Sequence, residues 1–360
     1  MKILHVITSL DTGGAEKLMV DLLPRLRNKG LDVELAIFDG TITPFYKALE
    51  REGIIIHRFM PDGGNVYSPM NLFKLVRLIK RGKADIVHTH NTAAQLFAAI
   101  SSVLCSVVLC TTEHNTSNRR RAWKWYARID RWMYSRYDKV ICISKKAEEN
   151  LRGYIGECKS DISTINNGVD VEKYASAEPS TELESIAPGT RKIIMVAGFR
   201  WEKDQDTLIK SLNYLPDNFH LFLVGEGARR PELEKLSAKE GVTHRVHFLG
   251  LRTDVPQLLH AADYVAMSSH FEGLSLSSVE GMSVGKPFLA SDVDGLREVV
   301  AGAGILFPHQ DAESFANEII NLDNDRNRIV EISKLCRSRA RQFDISAMAD
   351  GYYRSYSYLK

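Results

Sequence analysis

The stretch "KILHVITSLDTGGAEKLMVDLLPRLRNKGLDVELAIF", residues 2–38, decides the fold. It begins with an apolar run typical of a strand and passes through the glycine pair Gly13–Gly14. A segment of helical period follows, and Gly30 is placed to end it as a C-terminal cap. A second apolar run occupies 31–38. This order predicts a right-handed β-α-β unit of a parallel sheet.

The same alternation continues along the chain and then starts again. Near-continuously apolar runs indicate parallel strands that are covered on both faces. The predicted strands are 2–8, 31–38, 54–59, 85–90, 107–114 and 139–144 in the first half, and 192–199, 219–227, 245–250, 263–269, 286–293 and 304–309 in the second. The sequence therefore predicts an α/β protein with two Rossmann-like, doubly wound domains.

The domain boundary follows from this restart. Single hydrophobic cores rarely grow beyond about 250–300 residues, so 360 residues suit two domains. We assign the first domain to 1–170 and the second to 171–343. The stretch 176–190, rich in Pro, Ser and Glu, is interpreted as a linker and loop. An amphipathic helix at 344–360 is expected to pack back on the first domain.

Composition narrows the class of protein. A net charge of +2 argues against a nucleic-acid partner, and five scattered cysteines without a C-x-x-C pair indicate reduced thiols rather than a zinc site. No apolar run reaches the roughly 18 residues of a membrane span, and the start lacks the pattern of a signal peptide. We therefore expect a cytoplasmic protein.

In open α/β sheets, ligands bind beyond the carboxyl ends of the strands, which directs attention to the residues after each strand. Gly13 and Gly14 open a helix whose free amides favour an anion, although a plain tight turn explains a glycine pair equally well. His114 follows the fifth strand and is either a structural hydrogen-bonding group or a ligand-binding residue.

Two segments of the second half carry charge or glycine after a strand. Arg200 and Lys203 form either a solvated charge cluster or a clamp on a diphosphate, for which a planar fork and a point charge are suited. The segment "GEGARR" (225–230) begins like a dinucleotide-binding fingerprint, but Arg230 replaces the third glycine. This disfavours a nicotinamide cofactor.

The segment "FEGLSLSSVEGMSVGKPFLAS" (271–291) places Glu272 and Glu280 eight positions apart. A helix is expected to start between them, with free amides that bind anions. Gly281 and Gly285 weaken that helix and indicate close approach of a backbone or a ligand. Because carboxylates accept hydrogen bonds from vicinal hydroxyls, the segment fits a nucleotide-sugar.

In these residues the chain resembles the family-4 retaining glycosyltransferases of GT-B fold. The E-x7-E spacing, the preceding aromatic, the G-K-P and the "GLREVV" that follows all agree with that family. Further matching segments are "GGAE" (13–16), "TEHN" (112–115), "ISKKAEENL" (143–151), "NNGVD" (166–170), "FRWEKDQDTLI" (199–209) and "FLVGEG" (222–227). The resemblance implies two Rossmann-like domains that face a central cleft.

The resemblance also implies roles for individual residues. The implied catalytic residues are His114, Glu272, Arg200 and Lys203. The implied donor-binding residues are Gly13, Gly14, Arg200, Lys203, Gly273, Leu274, Ser275, Leu276 and Glu280. Glu16 and Asn115 would lie on the acceptor side. Many family members carry arginine directly after the strand glycine, whereas here "AGFR" displaces it, and we expect Arg200 to do the same work.

The implied reaction is retaining transfer of a sugar from a nucleotide-diphosphate donor to a glycan or lipid-linked acceptor, as in surface polysaccharide synthesis. UDP is the expected nucleotide and GDP the second choice. No cofactor and no metal are expected, and "DVD" (292–294) is interpreted as a loop. The alternatives are a nucleotide-sugar epimerase or another GT-B enzyme such as a phosphorylase, a two-lobed sugar-binding protein, and a dehydrogenase.

The segment 118–139 holds eight basic residues and three of the four tryptophans. At helical spacing one apolar face is predicted from Trp125, Tyr126, Ile129, Trp132 and Met133, beside a stripe of Arg121, Lys124, Arg128 and Arg131. It is either a helix packed on the sheet with a solvated outer face, or a surface that docks on anionic lipid near a lipid-linked acceptor.

Overall fold

The computed structural model describes residues 1–11, 13–114 and 124–359, without the side chains of residues 124 and 125. Its contacts divide the chain into two compact units. The first unit comprises Met1–Asn167 together with Ile345–Lys360, and the second comprises Gly168–Asp344.

The first unit is built on a seven-stranded sheet in which every described pairing is parallel, in the order β3-β2-β1-β4-β5-β6-β7. Its strands are β1 Lys2–Ile7, β2 Asp32–Ile37, β3 Ile55–Arg58, β4 Ile86–His90, β5 Val108–Glu113, β6 Lys139–Cys142 and β7 Asp161–Thr164. Its helices in this part of the chain are α1 Gly14–Asn28, α2 Pro44–Arg51, α3 Pro69–Gly82, α4 Thr92–Ser101, α5 Lys124–Tyr134 and α6 Lys145–Ile155.

The second unit repeats the plan with six parallel strands in the order β10-β9-β8-β11-β12-β13. Its strands are β8 Arg191–Val196, β9 Phe219–Val224, β10 Val246–Gly250, β11 Tyr264–Met267, β12 Phe288–Ser291 and β13 Ile305–Phe307. Its helices are α7 Val171–Ala175, α8 Glu182–Ile186, α9 Gln205–Ser211, α10 Arg230–Lys239, α11 Val255–Ala261, α12 Leu276–Ser283, α13 Asp294–Val300, α14 Ala312–Asp323 and α15 Arg326–Arg341.

The predicted fold class is confirmed, because each of the twelve predicted strands is present and both sheets are doubly wound. One strand, β7, was not predicted. It is four residues long and begins with an exposed aspartate at the edge of its sheet, so it lacks the apolar run that marks the others.

The alternation of side chains along the first sheet explains its two-sided core. Leu4 and Val6 of β1 belong to the hydrophobic cluster on one face, and Ile3 and Ile7 belong to the cluster on the other. Successive side chains of a strand point to opposite faces, so an apolar run fills both.

The last helix, α16 Ile345–Leu359, completes the first unit. Its buried face includes Met348, Ala349, Tyr352 and Tyr356, which pack in the cluster that contains α1 and one face of β1. The expected amphipathic helix is therefore present and packs on the first unit.

The linker prediction for 176–190 is wrong in part, because this stretch folds within the second unit. It contains α8, whose Leu183 is fully buried, and Glu182 pairs with Arg252. Polar composition at the exposed positions hid one apolar anchor.

Each sheet reverses its strand order once, between β1 and β4 in the first unit and between β8 and β11 in the second. Loops after such a pair of strands separate and leave a crevice, where doubly wound proteins bind ligands. Among the predicted site residues, Gly13 follows β1, Arg200 and Lys203 follow β8, and Glu272 follows β11, whereas His114 follows the neighbouring strand β5.

Candidate functional site

The reversal point of the second sheet carries an ion pair. Lys203 follows β8, Glu272 follows β11, and the Lys203 ammonium contacts the Glu272 carboxylate. Ser269 Oγ donates to the same carboxylate oxygen at 2.7 Å. Both charged side chains are mostly buried, at 20% and 12% exposure, so their positions are fixed more firmly than those of a surface pair.

Short-range contacts hold the two loops together. A 3-10 turn at Trp201–Lys203 ends at Asp204, whose φ of 45° is unusual for a residue with a side chain. Ser268 Oγ donates to the Asp204 carbonyl at 2.7 Å, and the His270 amide donates to the Glu202 carbonyl at 2.9 Å. These bonds join the loop after β8 to the loop after β11 and set the register of the Lys203–Glu272 pair.

The helix after Glu272 begins later than predicted. Ser275 is the N-cap, its hydroxyl accepts from the Ser278 amide, and Leu276 is the first helical residue. Gly273 and Leu274 therefore lie in the turn before α12, and only the Leu276 amide of the predicted set belongs to its first turn. Because the Ser275 hydroxyl satisfies an amide of the first turn, it fixes the start of the helix at the next residue.

The second glutamate of the motif, Glu280, lies inside α12 and is only 9% exposed. The neighbouring glycine has a packing role, because a Cβ on Gly281 would come within 2.8 Å of both Phe288 and Val265. The expectation that Gly285 lies within the helix is wrong. It follows the C-cap Val284 with a φ of 67°, a left-handed conformation that favours glycine.

The "DVD" segment is partly loop and partly helix. Asp292 lies between β12 and α13, Asp294 is the first residue of α13, and both carboxylates pair with Arg297, at 2.6 and 3.5 Å. A Cβ on the next residue, Gly295, would overlap the carbonyl oxygens of Glu272 and Gly273. This segment therefore supports the Glu272 turn from behind.

The glycines of "GEGARR" also serve backbone packing. A Cβ on Gly225 or Gly227 would overlap the main chain of Ala197 or Phe199, in the loop after β8. Arg229 makes two hydrogen bonds, of 2.7 and 3.0 Å, to Asp206. The segment thus braces the loop that carries Arg200 and Lys203.

Arg200 precedes the 3-10 turn and is exposed. Within the residues that the structure describes, its guanidinium makes no ion pair with an acidic side chain. A cation at the carboxyl edge of the sheet that is not neutralised by a partner is suited to an anionic ligand.

Two clusters in the described residues could offer three ligand atoms to a metal ion. The first comprises Asp204, His270 and His309, and the second is a buried set formed by His5, His88 and His90. In the first cluster His270 Nδ1 and His309 Nε2 share a hydrogen bond of 2.8 Å, while Asp204 is 3.7 Å from His270. Burial raises the pKa of the Asp204 carboxyl.

The reversal point of the first sheet carries a small pocket of about 250 Å³. Its lining is Gly14, Ala15, Glu16, Asn91, His114, Ile143 and Asn167. The N-terminus of α1 opens onto it, and α4 starts beside it at Asn91, which has a φ of 68°. Unusual backbone of this kind often accompanies functional sites.

His114 is half-buried in this pocket, and its Nε2 is 3.0 Å from His90 Nδ1. Burial lowers its pKa to about 4, because the imidazolium is poorly solvated there. The histidine is therefore neutral at physiological pH. Its predicted neighbour on the acceptor side, Asn115, lies outside the described residues.

The two glycines at the start of α1, Gly13 and Gly14, differ in the space that surrounds them. A Cβ on Gly13 would overlap the Glu16 carboxylate, whereas a Cβ on Gly14 would meet no atom of the described residues within 4 Å. Glu16 accepts a hydrogen bond from Asn91 Nδ2 at 3.2 Å, which anchors the carboxylate at the pocket wall. Among residues 1–11, 13–114 and 124–167, no neighbouring atom therefore requires glycine at position 14.

Sequence reasoning missed Asn167. It is 9% exposed and lines the pocket, and its Oδ1 has no hydrogen-bond partner in the part of the chain that the structure describes. Buried polar atoms are usually paired, so this oxygen is a candidate for a ligand contact. Its signal in the sequence was the "NNGVD" segment, which was noted without a role.

Comparison with known proteins agrees with this arrangement. Residues 12–173 match the model of Glycosyltransferase Family 4, and residues 180–343 match that of Glycosyl transferases group 1. The chain belongs to the family-4 glycosyltransferases. The two matches together include residues of both units.

Two curated relatives of this glycosyltransferase align over most of their length. An Escherichia coli UDP-Gal:alpha-D-GlcNAc-diphosphoundecaprenol alpha-1,3-galactosyltransferase is 25% identical, covering 94% of this chain and 92% of the relative. A D-inositol 3-phosphate glycosyltransferase from Xylanimonas cellulosilytica is 27% identical, covering 75% of this chain and 72% of the relative.

Solved structures give the same picture. Anabaena HepE in complex with UDP superposes with a TM-score of 0.85 at 25% identity, covering 99% of this chain and 100% of HepE. HepE in complex with UDP-glucose gives 0.82 at 25% identity, covering 99% of each chain. The lipopolysaccharide outer core galactosyltransferase WaaB, at 16% identity and a TM-score of 0.73, covers 100% of each chain and supports the fold alone.

A cavity of about 970 Å³ lies elsewhere in the second unit of the glycosyltransferase. It is lined by residues at the start of β8 and β11, such as Arg191 and Tyr264, and by basic residues of α15 such as Arg337. These are the amino ends of the strands. Parallel sheets bind ligands at the other edge, so we do not take this cavity as the active site.

The helix α5 of the glycosyltransferase buries only some residues of its predicted apolar face. Met133 and Tyr134 are buried, whereas Ile129 and Trp132 are 40% and 43% exposed. Arg128 and Arg131 are also exposed, and Arg121 and Trp125 fall outside the described side chains. The predicted apolar face is therefore only partly buried. Among the described residues, no helix is long and apolar enough to cross a membrane.

Proposed function

We propose that this glycosyltransferase moves a sugar from a UDP-sugar to a lipid-linked or glycan acceptor with retention of anomeric configuration, in surface polysaccharide synthesis. The UDP complexes of HepE and the UDP-Gal donor and diphosphoundecaprenol acceptor in the name of the E. coli relative support this choice of substrates.

The observation that carries the proposal is the Lys203–Glu272 pair at the reversal point of the second sheet. It joins a mostly buried cation to a mostly buried carboxylate, within a few residues of the N-terminus of α12. A nucleotide-sugar needs this combination, since its diphosphate binds cations and amides while its hydroxyls donate to carboxylates.

Each remaining residue then has a role. Glu272 would accept from hydroxyls of the transferred sugar, and Glu280 from those of the ribose. Lys203 would hold the diphosphate, helped by Arg200 and by the amides of Leu274, Ser275 and Leu276.

The first unit would supply contacts to the phosphate, to the transferred sugar and to the acceptor. Gly14 would let a phosphate approach the start of α1, which explains why no side chain occupies the open space beside it. His114 would contact the transferred sugar, and Glu16, with Asn115, would lie on the acceptor side.

The proposed mechanism is electrostatic. Departure of UDP leaves positive charge at the anomeric carbon and negative charge on the diphosphate, which Lys203 and Arg200 would stabilise more strongly in the transition state than before it. The acceptor hydroxyl would attack from the same face, and the leaving phosphate oxygen would take its proton. With two cations and a helix terminus at hand, the reaction would not need a metal ion.

The proposed acceptor docks beside α5. The exposed Ile129 and Trp132 of α5 lie next to the exposed Arg128 and Arg131 of the same helix. This combination of apolar and basic side chains is suited to the surface of an anionic membrane. A membrane-bound acceptor would then be concentrated near the first unit, and the protein would act at the inner face of the membrane.

Product analysis tests the proposal. The purified enzyme is incubated with a panel of UDP-, GDP- and ADP-sugars, with and without undecaprenyl-diphosphate-linked N-acetylglucosamine in anionic vesicles. We expect release of UDP only with acceptor, and a product whose new linkage has the anomeric configuration of the donor. An inverted linkage would refute the retaining assignment, and conversion of the donor without acceptor would favour an epimerase.

A further inference from the structure

A chain of hydrogen bonds leads from the pocket of the first unit into its core. It passes through Tyr352, Thr112, His88, Tyr356, His5, His90 and His114 in that order. The six donor–acceptor distances are 3.0, 2.8, 2.5, 3.4, 3.0 and 3.0 Å. The two tyrosines come from α16, and the other members from three adjacent strands and the loop after β5.

Every member except His114 is fully buried, at 0% exposure. His5 and His88 are partners in the β1–β4 register, and their rings stack with that of His90. Burial lowers the pKa of His5 to about 3 and holds those of His88 and His90 well below their ordinary value. Each imidazole is therefore neutral and carries one N–H.

Counting hydrogens decides the direction of the chain. The seven groups, three hydroxyls and four neutral imidazoles, supply seven hydrogens for six contacts. Each contact takes one hydrogen, so one hydrogen is left over. A histidine with both nitrogens in the chain always spends its hydrogen on a contact, so the extra one belongs to a hydroxyl or to His114.

The buried hydroxyls are energetically unfavourable sites for the extra hydrogen. Within the described residues, Tyr352, Thr112 and Tyr356 have no hydrogen-bond partner outside the chain, so a hydrogen directed away from it would be a buried donor without an acceptor. Such a group loses the full free energy of its desolvation. His114 is half-buried and lines the pocket, where a ligand or solvent can accept. The arrangement with lowest free energy therefore runs from Tyr352 O–H to His114.

We propose that this buried chain fixes His114 as the tautomer that carries its hydrogen on Nδ1, so that the pocket receives a hydrogen-bond donor. His90 Nδ1–H donates to His114 Nε2, and His114 Nδ1–H is left for the ligand. His90, His5, Tyr356 and Tyr352 are then positioning residues, which act on the ligand only through His114.

The consequence concerns which ligand atom His114 meets. A donor at Nδ1 selects an oxygen with a lone pair, such as a hydroxyl, ring or phosphate oxygen, and it carries no positive charge. Only this consequence for catalysis rests on the proposed function. The tautomer itself belongs to the first unit and can be measured without any substrate.

The test is nitrogen NMR of the ¹⁵N-histidine-labelled protein at neutral pH, with the His114 signals assigned by their loss in His114→Gln. Imidazole side chains in water prefer the Nε2–H tautomer, so the expected protonated-type Nδ1 signal is the opposite of the default. An unprotonated-type Nδ1 in the wild-type protein would overturn the proposal, whether or not the enzyme transfers sugar.

Substitutions in the chain of hydrogen bonds provide a second test. His90→Phe keeps a ring but removes the bond to His114, and should shift His114 toward Nε2–H and lower kcat more than it raises KM. Tyr356→Phe, which removes one hydroxyl, should produce a mixture of tautomers even if His90→Phe fails to fold. Tyr353→Phe, next to the chain on α16 and 37% exposed, should leave the signals unchanged. Signals that are the same in Tyr356→Phe and in the wild type would contradict the proposal.

Discussion

The two reversal points of this glycosyltransferase occupy equivalent places in two similar sheets, yet their chemistry differs. In the second sheet, Lys203 and Glu272 are charged and paired, and Arg200 adds a second cation. In the first sheet, His114 and His90 are neutral because burial lowers their pKa values, and they are held by hydrogen bonds.

The fold therefore determines where a ligand binds, and the residues after the strands determine which part of the ligand they contact. Fixed charge in the second unit suits a diphosphate, and a neutral donor in the first unit suits a sugar oxygen. The two reversal points can be tested separately by substitutions in one unit at a time.

The largest effect is expected from Lys203→Ala. Removal of the buried ammonium takes away charge that would be used most in the transition state, so kcat/KM should fall roughly 10²- to 10³-fold. Initial rates with a UDP-sugar measure this. Lys210→Ala, an exposed lysine on the next helix, is the matched control and should retain wild-type rates.

Loss of Lys203 also leaves Glu272 without its cation. A thermal unfolding scan of Lys203→Ala and of Lys203→Ala/Glu272→Gln separates a folding defect from a catalytic one. If both variants unfold near the wild-type temperature and keep near-normal kcat/KM, the clamp does not exist.

A smaller effect is expected from Gly14→Ala in the first unit. A methyl group meets no atom there in the part of the chain that the structure describes, so the variant should be as stable as the wild type or more stable, by up to about 1 kcal/mol. It would still obstruct a phosphate at the start of α1, and we expect roughly a tenfold loss of kcat/KM, about 1.4 kcal/mol.

Gly153→Ala is the matched control for this substitution. Gly153 lies in α6, and a Cβ there also meets no atom within 4 Å. Calorimetric unfolding and initial rates should show stabilisation in both variants and a loss of activity only in Gly14→Ala. Equal activities would mean that nothing approaches position 14 during the reaction.

A last effect concerns stability and not catalysis, namely its dependence on pH through the neutral histidines. Burial lowers the pKa of His5 from 6.5 to about 3, so the unfolded chain takes up a proton that the folded chain does not. The contribution to stability is complete above about pH 6.5 and decreases as the pH falls below that value toward 3.

Urea unfolding between pH 7.5 and 4 measures this dependence. His5→Gln should flatten it, although the variant is less stable overall, while His244→Gln, an exposed histidine of the second unit, should leave the slope unchanged. An unaltered slope in His5→Gln would mean that His5 is protonated in the folded protein.

Much of the fold could be predicted from the sequence, because buried parallel strands are apolar without interruption. Residues 2–8 and 192–199 each led to a strand. The two elements that were not predicted, β7 and α8, lack such an apolar run. β7 has one buried side chain, Ile162, in four residues, and α8 has a single buried residue, Leu183, among polar neighbours. Tertiary burial of a single apolar residue leaves no periodic signal.

The site was predictable where residues lie directly after strands. Lys203, Glu272 and His114 were found by this rule, whereas their partners required the sheet order. The alternating His88 and His90 in β4 indicate one shared face, but only the β1–β4 register brings His5 beside them. Asn167, and the tyrosines of α16 far along the chain, could not be assigned from local pattern.

The most direct test of the central claim is a crystal structure of the enzyme soaked with UDP. The account predicts that a phosphate oxygen lies within hydrogen-bonding distance, about 3 Å, of Lys203 Nζ, and that the ribose hydroxyls contact Glu280. UDP bound instead in the 970 Å³ cavity at the amino ends of β8 and β11, with Lys203 still paired only to Glu272, would contradict it.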